Sequence, residues 1–185
     1  MTEQVGESYL NHYEKYLGDF VDVHQYGRED TNTIQFLEYR NVFEGCITYM
    51  TLGLSNYADV IQQNCEIALV VDDCYDLSVD LLANVLFYII DQAMQFGTGV
   101  HIGRLQNVSN QFVKKTKKNA IYFTYPTIFP SEFANIDEIG GAIYMAFFIS
   151  QEEYSFIEEQ GAEHFEDLLE NCSCDVFDVK RKSMF

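Results

Sequence analysis

Asp72, Asp73 and Asp76 spell D-D-x-x-D, a spacing that can turn carboxylates toward one divalent ion and, through it, a diphosphate. Here the string follows the apolar run Glu66 to Val71 and precedes a helical pattern. It is therefore expected in a loop and at a helix N-terminus, where acids complement the helix dipole; the only functional role kept for it is contact with a partner. It also lacks the central Gly and terminal Glu of a calcium-binding EF loop. Gly53-Leu54-Ser55 begins like a nucleophile elbow, but Tyr57 stands where the second Gly should be, so Ser55 reads as a turn former bonding its own backbone. His12, His24, His101 and His164 are widely separated, with no H-E-x-x-H, and the cysteines lack zinc-finger spacing. No catalytic, cofactor or metal site is expected, and Cys172-x-Cys174 reads as ordinary thiols.

Charge is the stronger signal. The formal net charge is −18, from 29 acids against 11 Lys and Arg. Asn119 to Val179 holds thirteen acids and no Lys or Arg, and Asn41 to Gly103 holds eight acids and again no base. Such a surface gives up some stability through self-repulsion, and it steers and holds basic macromolecules. Solubility alone would also account for it. Lys114, Lys115, Lys117 and Lys118 are four of the eleven bases in five positions. A nucleic-acid binder needs a basic face, so this run is expected to be a solvated loop between two strands, with no direct nucleic-acid contact. Gly97-Thr98-Gly99 reads as a helix stop.

The acids Glu152, Glu153, Glu158, Glu159, Glu163, Glu166, Asp167 and Glu170 alternate with Tyr154, Phe156, Ile157, Phe165, Leu168 and Leu169, as on the outer face of helices whose other side is core. A solvated face is one reading. The other is docking, because without Lys at i,i+4 these carboxylates repel one another until a basic partner relieves them. The partner-binding candidates are Asp72, Asp73, Asp76, Glu152, Glu153, Glu159, Glu163 and Asp167.

Elements must position these groups. The 185 residues, 48% hydrophobic and 15% aromatic, suit one folded domain spanning 1–185. Val5, Tyr9, Tyr13 and Tyr16 recur at helical spacing, predicting a helix from Thr2 to Leu17 closed by Gly18, so that 1–18 forms an N-terminal helical segment. Strands are predicted at Asp22–Tyr26, Thr33–Tyr39, Cys46–Leu54, Glu66–Val71, Val100–Leu105, Ala120–Tyr125 and Ala142–Ile149. The broad apolar face of Leu77–Phe96 predicts a long central helix, capped by Ser78 or Asp76 and stopped by Gly97. Ser150 with Glu153 three residues on is a capping box. It opens a C-terminal helical pair over 150–171, Gln151–Gln160 and Ala162–Asn171, broken at Gly161 and followed by a tail over 172–185. The fold class is α+β: a mixed β-sheet with helices packed against it. Five scattered cysteines fit free thiols in a reducing compartment. With no signal-peptide pattern and no membrane-length apolar run, a cytoplasmic location away from membranes is expected.

ISQEEYSFIEEQGAEHFEDLLENCSCDVFDVKRKS, from Ile149 to Ser183, resembles the end of the bacterial suppressor-of-fused domain family: a strand, an S-x-E-E-Y-x-F-I helix, a Gly, a second short helix and an Asp-hydrophobic-Arg tail. TYMTLGLSNY, Thr48 to Tyr57, is similar to the family's strand ending in a T-x-G-x-S turn, and CEIALVV, Cys65 to Val71, to its following core strand. The resemblance runs from about Phe36 onward. It implies a single α+β domain without enzymatic activity or cofactor that acts by binding protein. Many bacterial members accompany polymorphic toxins, often nucleases, and serve as their immunity proteins; a cognate toxin, basic in charge, is the partner expected here. The animal relative that names the family holds a transcription factor, using this domain beside a second one with no counterpart here. Asp73-Cys74-Tyr75-Asp76 departs from the family's Pro-containing turn. A regulatory module that captures an extended peptide on a strand edge is the alternative.

Overall fold

The computed structural model describes residues 3–29, 31–72, 77–172 and 174–185. Helix α1 (Glu3–Leu17) precedes three antiparallel strands, β1 (Asp22–Tyr26), β2 (Ile34–Arg40) and β3 (Cys46–Leu52). A 3-10 turn and the short α2 (Ala58–Ile61) lead into β4 (Cys65–Asp72), then α3 (Ser78–Asp91), β5 (His101–Ile102), α4 (Gln106–Thr116) and β6 (Lys118–Thr124). The chain closes with β7 (Asn135–Ile136), β8 (Gly141–Ser150), α5 (Gln151–Gln160) and α6 (Ala162–Asn171). These strands make one eight-stranded sheet in the order β1-β2-β3-β4-β8-β6-β5, with β7 pairing the start of β8. The β4–β8 pair is parallel, from Cys65 opposite Ala142 to Leu69 opposite Ala146. The α+β class and the mixed sheet read from the sequence are both present.

Two-residue alternation explains how β4 holds the centre. Ile67, Leu69 and Val71 enter the core under α2, α3 and α4, while Ala68 and Val70 enter the opposite one under α1. A strand buried on both faces reads as a nearly continuous apolar run, which is what Cys65 to Val71 shows with Glu66 as its one interruption. On the opposite face α1 contributes Tyr9 and Tyr13 beside Met50, Val70 and Ile143. Farther along that face, α5 and α6 contribute Ile157 and Phe165 beside Tyr122, Met145, Phe147 and Ile149. Gly141, in the predicted Gly-Gly start of β8, is needed for closeness: a Cβ there would lie 2.6 Å from the Tyr9 hydroxyl.

Several expectations are corrected. Helix α3 has 14 residues, one fewer than α1, and ends at Asp91 rather than Phe96. It closes in a Schellman arrangement, with Ala93 at φ 46° donating to Ile90 and Met94 donating to Ile89. The apolar pattern ran on because Phe96 is buried too, but Phe96 belongs to another contact: its N–H bonds Ile61 and its ring packs on Phe123 and Tyr144. Gly97 is therefore not the stop, and Leu77, not Ser78, holds the N-cap position, without a side-chain bond; Asp76 lies outside the described residues. The predicted Val100–Leu105 strand shrinks to two residues. Helix α4 has no sequence forecast because Ser109, at φ −144° and ψ 94°, kinks it and breaks its apolar period. Lys114 and Lys115 end that helix and Lys117 is its left-handed cap, all three exposed as expected, but the run is a helix end rather than a loop between strands, and Lys118 starts β6 almost wholly buried.

The turn after β3 is built on Glu66. Its carboxylate is fully buried and receives the Thr51 hydroxyl (2.6 Å), the N–H groups of Gly53 (2.8 Å), Leu54 (3.1 Å) and Ser55 (3.1 Å), and the Ser55 hydroxyl (2.8 Å). Thr51-x-Gly53-x-Ser55 is thus a carboxylate nest, in which Ser55 bonds Glu66 through both its N–H and its hydroxyl. Gly53 sits at φ 113°, where an added Cβ would meet the Thr33 carbonyl at 2.5 Å. Burial pushes the Glu66 carboxyl up, the bonds from Thr51, Gly53 and Ser55 draw it back, and the net position stays above the ordinary value.

Candidate protein-interaction surface

Helix α5 begins at the predicted capping box: the Ser150 hydroxyl accepts from Glu153 N–H (3.1 Å), and the Glu153 carboxylate accepts from Ser150 N–H (2.7 Å). Gly161, at φ 90°, separates α5 from α6. Both helices set an apolar stripe on β6 and β8, so their other sides face solvent. Glu152, Glu159, Glu163, Asp167 and Glu170 are exposed there, and none is ion-paired among the described residues. Glu158 pairs with His101 at 2.7 Å, and Glu166 accepts from the hydroxyls of Tyr122 (3.0 Å) and Thr124 (2.7 Å).

Glu153 differs from its neighbours. It is fully buried and gripped by the Arg181 guanidinium through both carboxylate oxygens, with Met184 N–H adding a bond at 3.2 Å. Lys118, 4.0 Å from the carboxylate, donates to the Arg181 carbonyl at 3.0 Å. This core ion cluster, not an outward face, is where the structure places Glu153; the Asp-hydrophobic-Arg tail exists to supply Val179 and Arg181 to the interior. Burial pushes Lys118 down to about 8 and would push Glu153 up, but Arg181 and the Ser150 N–H outweigh it and hold Glu153 below the usual glutamate value.

Of the D-D-x-x-D string, Asp73 and Asp76 lie outside the described residues. Asp72 ends β4 against the tail, where its N–H donates to the Phe177 carbonyl at 3.2 Å. Burial raises its carboxyl. The structure therefore gathers Glu152, Glu159, Glu163 and Asp167 on the helical pair and leaves Asp72 with the tail. The histidines stay apart, as their spacing suggests: His12 meets the Phe133 carbonyl, His24 meets Glu38, His101 meets Glu158, and His164 meets the Gln160 carbonyl.

A second surface has no sequence forecast. The sheet ends at β5, and beside it opens a groove of about 940 Å³ lined by residues that include Tyr88, His101, Arg104, Val108 and Tyr154. Tyr88 and Val108 are each about half exposed. The groove is assembled from α3, the 98–108 segment around β5 and the α5–α6 pair, which are far apart in sequence, so no local pattern could have found it.

A family model described as "Suppressor of fused protein (SUFU)" matches residues 30–182. "Immunity protein YqcF" of Bacillus subtilis (strain 168) is 28% identical over 148 residues, which cover 76% of each chain. A suppressor of fused homologue from Neisseria gonorrhoeae superposes with a TM-score of 0.78 at 16% identity, covering 98% of this chain and 97% of that one. A chain of the Sufu–Fu complex gives 0.64 at 10% identity, covering 98% and 91%. Drosophila Suppressor of Fused gives 0.63 at 10%, with 96% of this chain matching 49% of that one. These solved structures share the α+β fold described above.

Proposed function

We propose, from the premise that the chain belongs to the suppressor of fused protein family, that it is a non-enzymatic immunity protein which binds and neutralises a cognate bacterial toxin in the cytoplasm. The observation that carries this reading is the row of exposed carboxylates on α5 and α6, Glu152, Glu159, Glu163, Asp167 and Glu170, none of them ion-paired among the described residues. The similarity to a protein named an immunity protein supports it. Mutual repulsion makes those acids a poor resting surface, and a basic toxin, such as a nuclease, would relieve it on docking. Inhibition follows from covering the toxin's active cleft, with electrostatic steering that speeds association at low salt.

The test is binding and toxin-activity measurement with the product of the neighbouring reading frame, using the native chain and a Glu159→Lys, Glu163→Lys, Asp167→Lys variant. The native protein should bind and inhibit, with affinity falling as salt rises. The variant should lose about tenfold or more, mainly in association rate. If no neighbouring product binds, or if binding ignores both salt and the triple variant, the reading fails.

The β5 edge favours a second reading, capture of an extended partner segment by strand addition into the adjoining groove. Ile102→Pro with Tyr88→Ala should then abolish binding while the charge reversals leave it intact.

A further inference from the structure

We propose that Asp22, His24 and Glu38 form a site for a divalent transition-metal ion of the zinc class, clamping edge strand β1 to β2. Among the described residues this is the one trio of His, Cys, Asp or Glu whose candidate ligand atoms all lie within 4.8 Å of one another. Strand geometry puts them there. Asp22 is directly opposite Glu38 in the antiparallel register, and His24, two residues along β1, faces the same side.

The spacing fits coordination. His24 Nε2 and Glu38 Oε2 are 3.3 Å apart, and two ligands on a tetrahedral ion at about 2.0–2.1 Å stand about 3.3–3.4 Å from each other. The ion would replace the direct His–Glu contact, with neutral His24 offering its Nε2 lone pair. Asp22 is exposed, so its carboxylate can swing in as third ligand, leaving a fourth position for water.

The supporting groups hold the ligands in place. The Glu38 side chain is only 7% exposed, and its other oxygen is fixed by Arg40 Nε at 2.7 Å. The His24 ring stands edge-on to Tyr49, with centroids 5.8 Å apart. Such outer contacts orient first ligands and sustain affinity. Two carboxylates against one guanidinium leave local negative charge for a dication, and one imidazole with two carboxylates suits zinc, iron(II) or manganese better than magnesium.

The test is Zn²⁺ titration of the full, metal-stripped chain by calorimetry, with Co²⁺ spectra alongside. One ion should bind per chain, saturably, and raise the melting temperature. Asp22→Asn and His24→Ala, both changes on solvent-accessible side chains, should each weaken affinity by about tenfold or more. His164→Ala and Cys172→Ser should leave it unchanged. Co²⁺ should give a spectrum without a thiolate band, because no cysteine takes part. The proposal is overturned if both site variants bind like the native chain, if a thiolate band appears or binding vanishes on thiol blocking, or if Zn²⁺ binds only at millimolar levels.

Discussion

Replacing Glu66 by Gln asks whether one buried carboxylate organises the turn after β3. Oε1 accepts three bonds, from Gly53 N, Ser55 N and Ser55 Oγ, and Oε2 accepts two, from Thr51 Oγ1 and Leu54 N. Glutamine keeps one acceptor oxygen. Placed at Oε1 it preserves three bonds in neutral form, and its NH₂ group then confronts the Leu54 N–H, a buried donor left without an acceptor. That orphan costs about 1–3 kcal/mol, and each bond that ceases to be charge-assisted loses about 1 kcal/mol. Against this, a neutral amide is easier to bury than a carboxylate, so the net loss expected is about 2 kcal/mol. Glu66→Met removes every acceptor and orphans three backbone N–H groups, for about 3–9 kcal/mol, enough to exhaust the stability of many domains. With no tryptophan in the chain, urea unfolding is followed by far-UV circular dichroism. At an m value of about 2 kcal/mol per molar, Glu66→Gln should lower the midpoint by about 1 M, and Glu66→Met should be partly unfolded in buffer. If the Gln variant unfolds within about 0.2 M of the native protein, a shift of about 0.4 kcal/mol, and the Met variant is no worse, the carboxylate does not hold the turn.

Removing the Arg181 side chain strands Glu153 in the core, so Arg181→Ala should cost about 3–5 kcal/mol in the same urea assay. Glu153 sits below its ordinary value of 4.5 in the folded chain, so its stabilisation is present above that value and lost as pH falls through the lower folded one. Glu153→Gln should therefore flatten the loss of stability on acidification, and an unchanged slope would count against the pair. At the end of α3, Ala93 holds a left-handed conformation that glycine adopts without penalty. Ala93→Gly should gain about 0.5–1 kcal/mol, seen as a melting-temperature rise of about 1–4 °C, whereas Ala93→Val should lower it.

Where the sequence spoke clearly, a local rule was being obeyed. The period of α1, the two-sided apolar run of β4, the capping box of α5 and the break at Gly161 each depend on residues a few positions apart. Backbone geometry converts such spacings into helices and strands before any long-range contact forms. The excess of acid and the helical pair that carries it were legible for the same reason. The end of α3 was not, because Phe96 obeys the helical period yet is claimed by Ile61, Phe123 and Tyr144 from other elements.

Which carboxylates face water was decided only in three dimensions. Glu152 and Glu153 are adjacent and chemically alike, yet one is solvated and the other is locked to Arg181, 28 residues away. Lys118 ends a run that looks solvent-facing and is buried because β6 starts there beside β8. Asp22, His24 and Glu38 are brought together by the β1–β2 register, and the groove by the meeting of α3, the segment around β5 and the α5–α6 pair. Sequence spacing sets direction along one element. The environment of a charge depends on what other elements bring against it, and that is a property of the assembled chain.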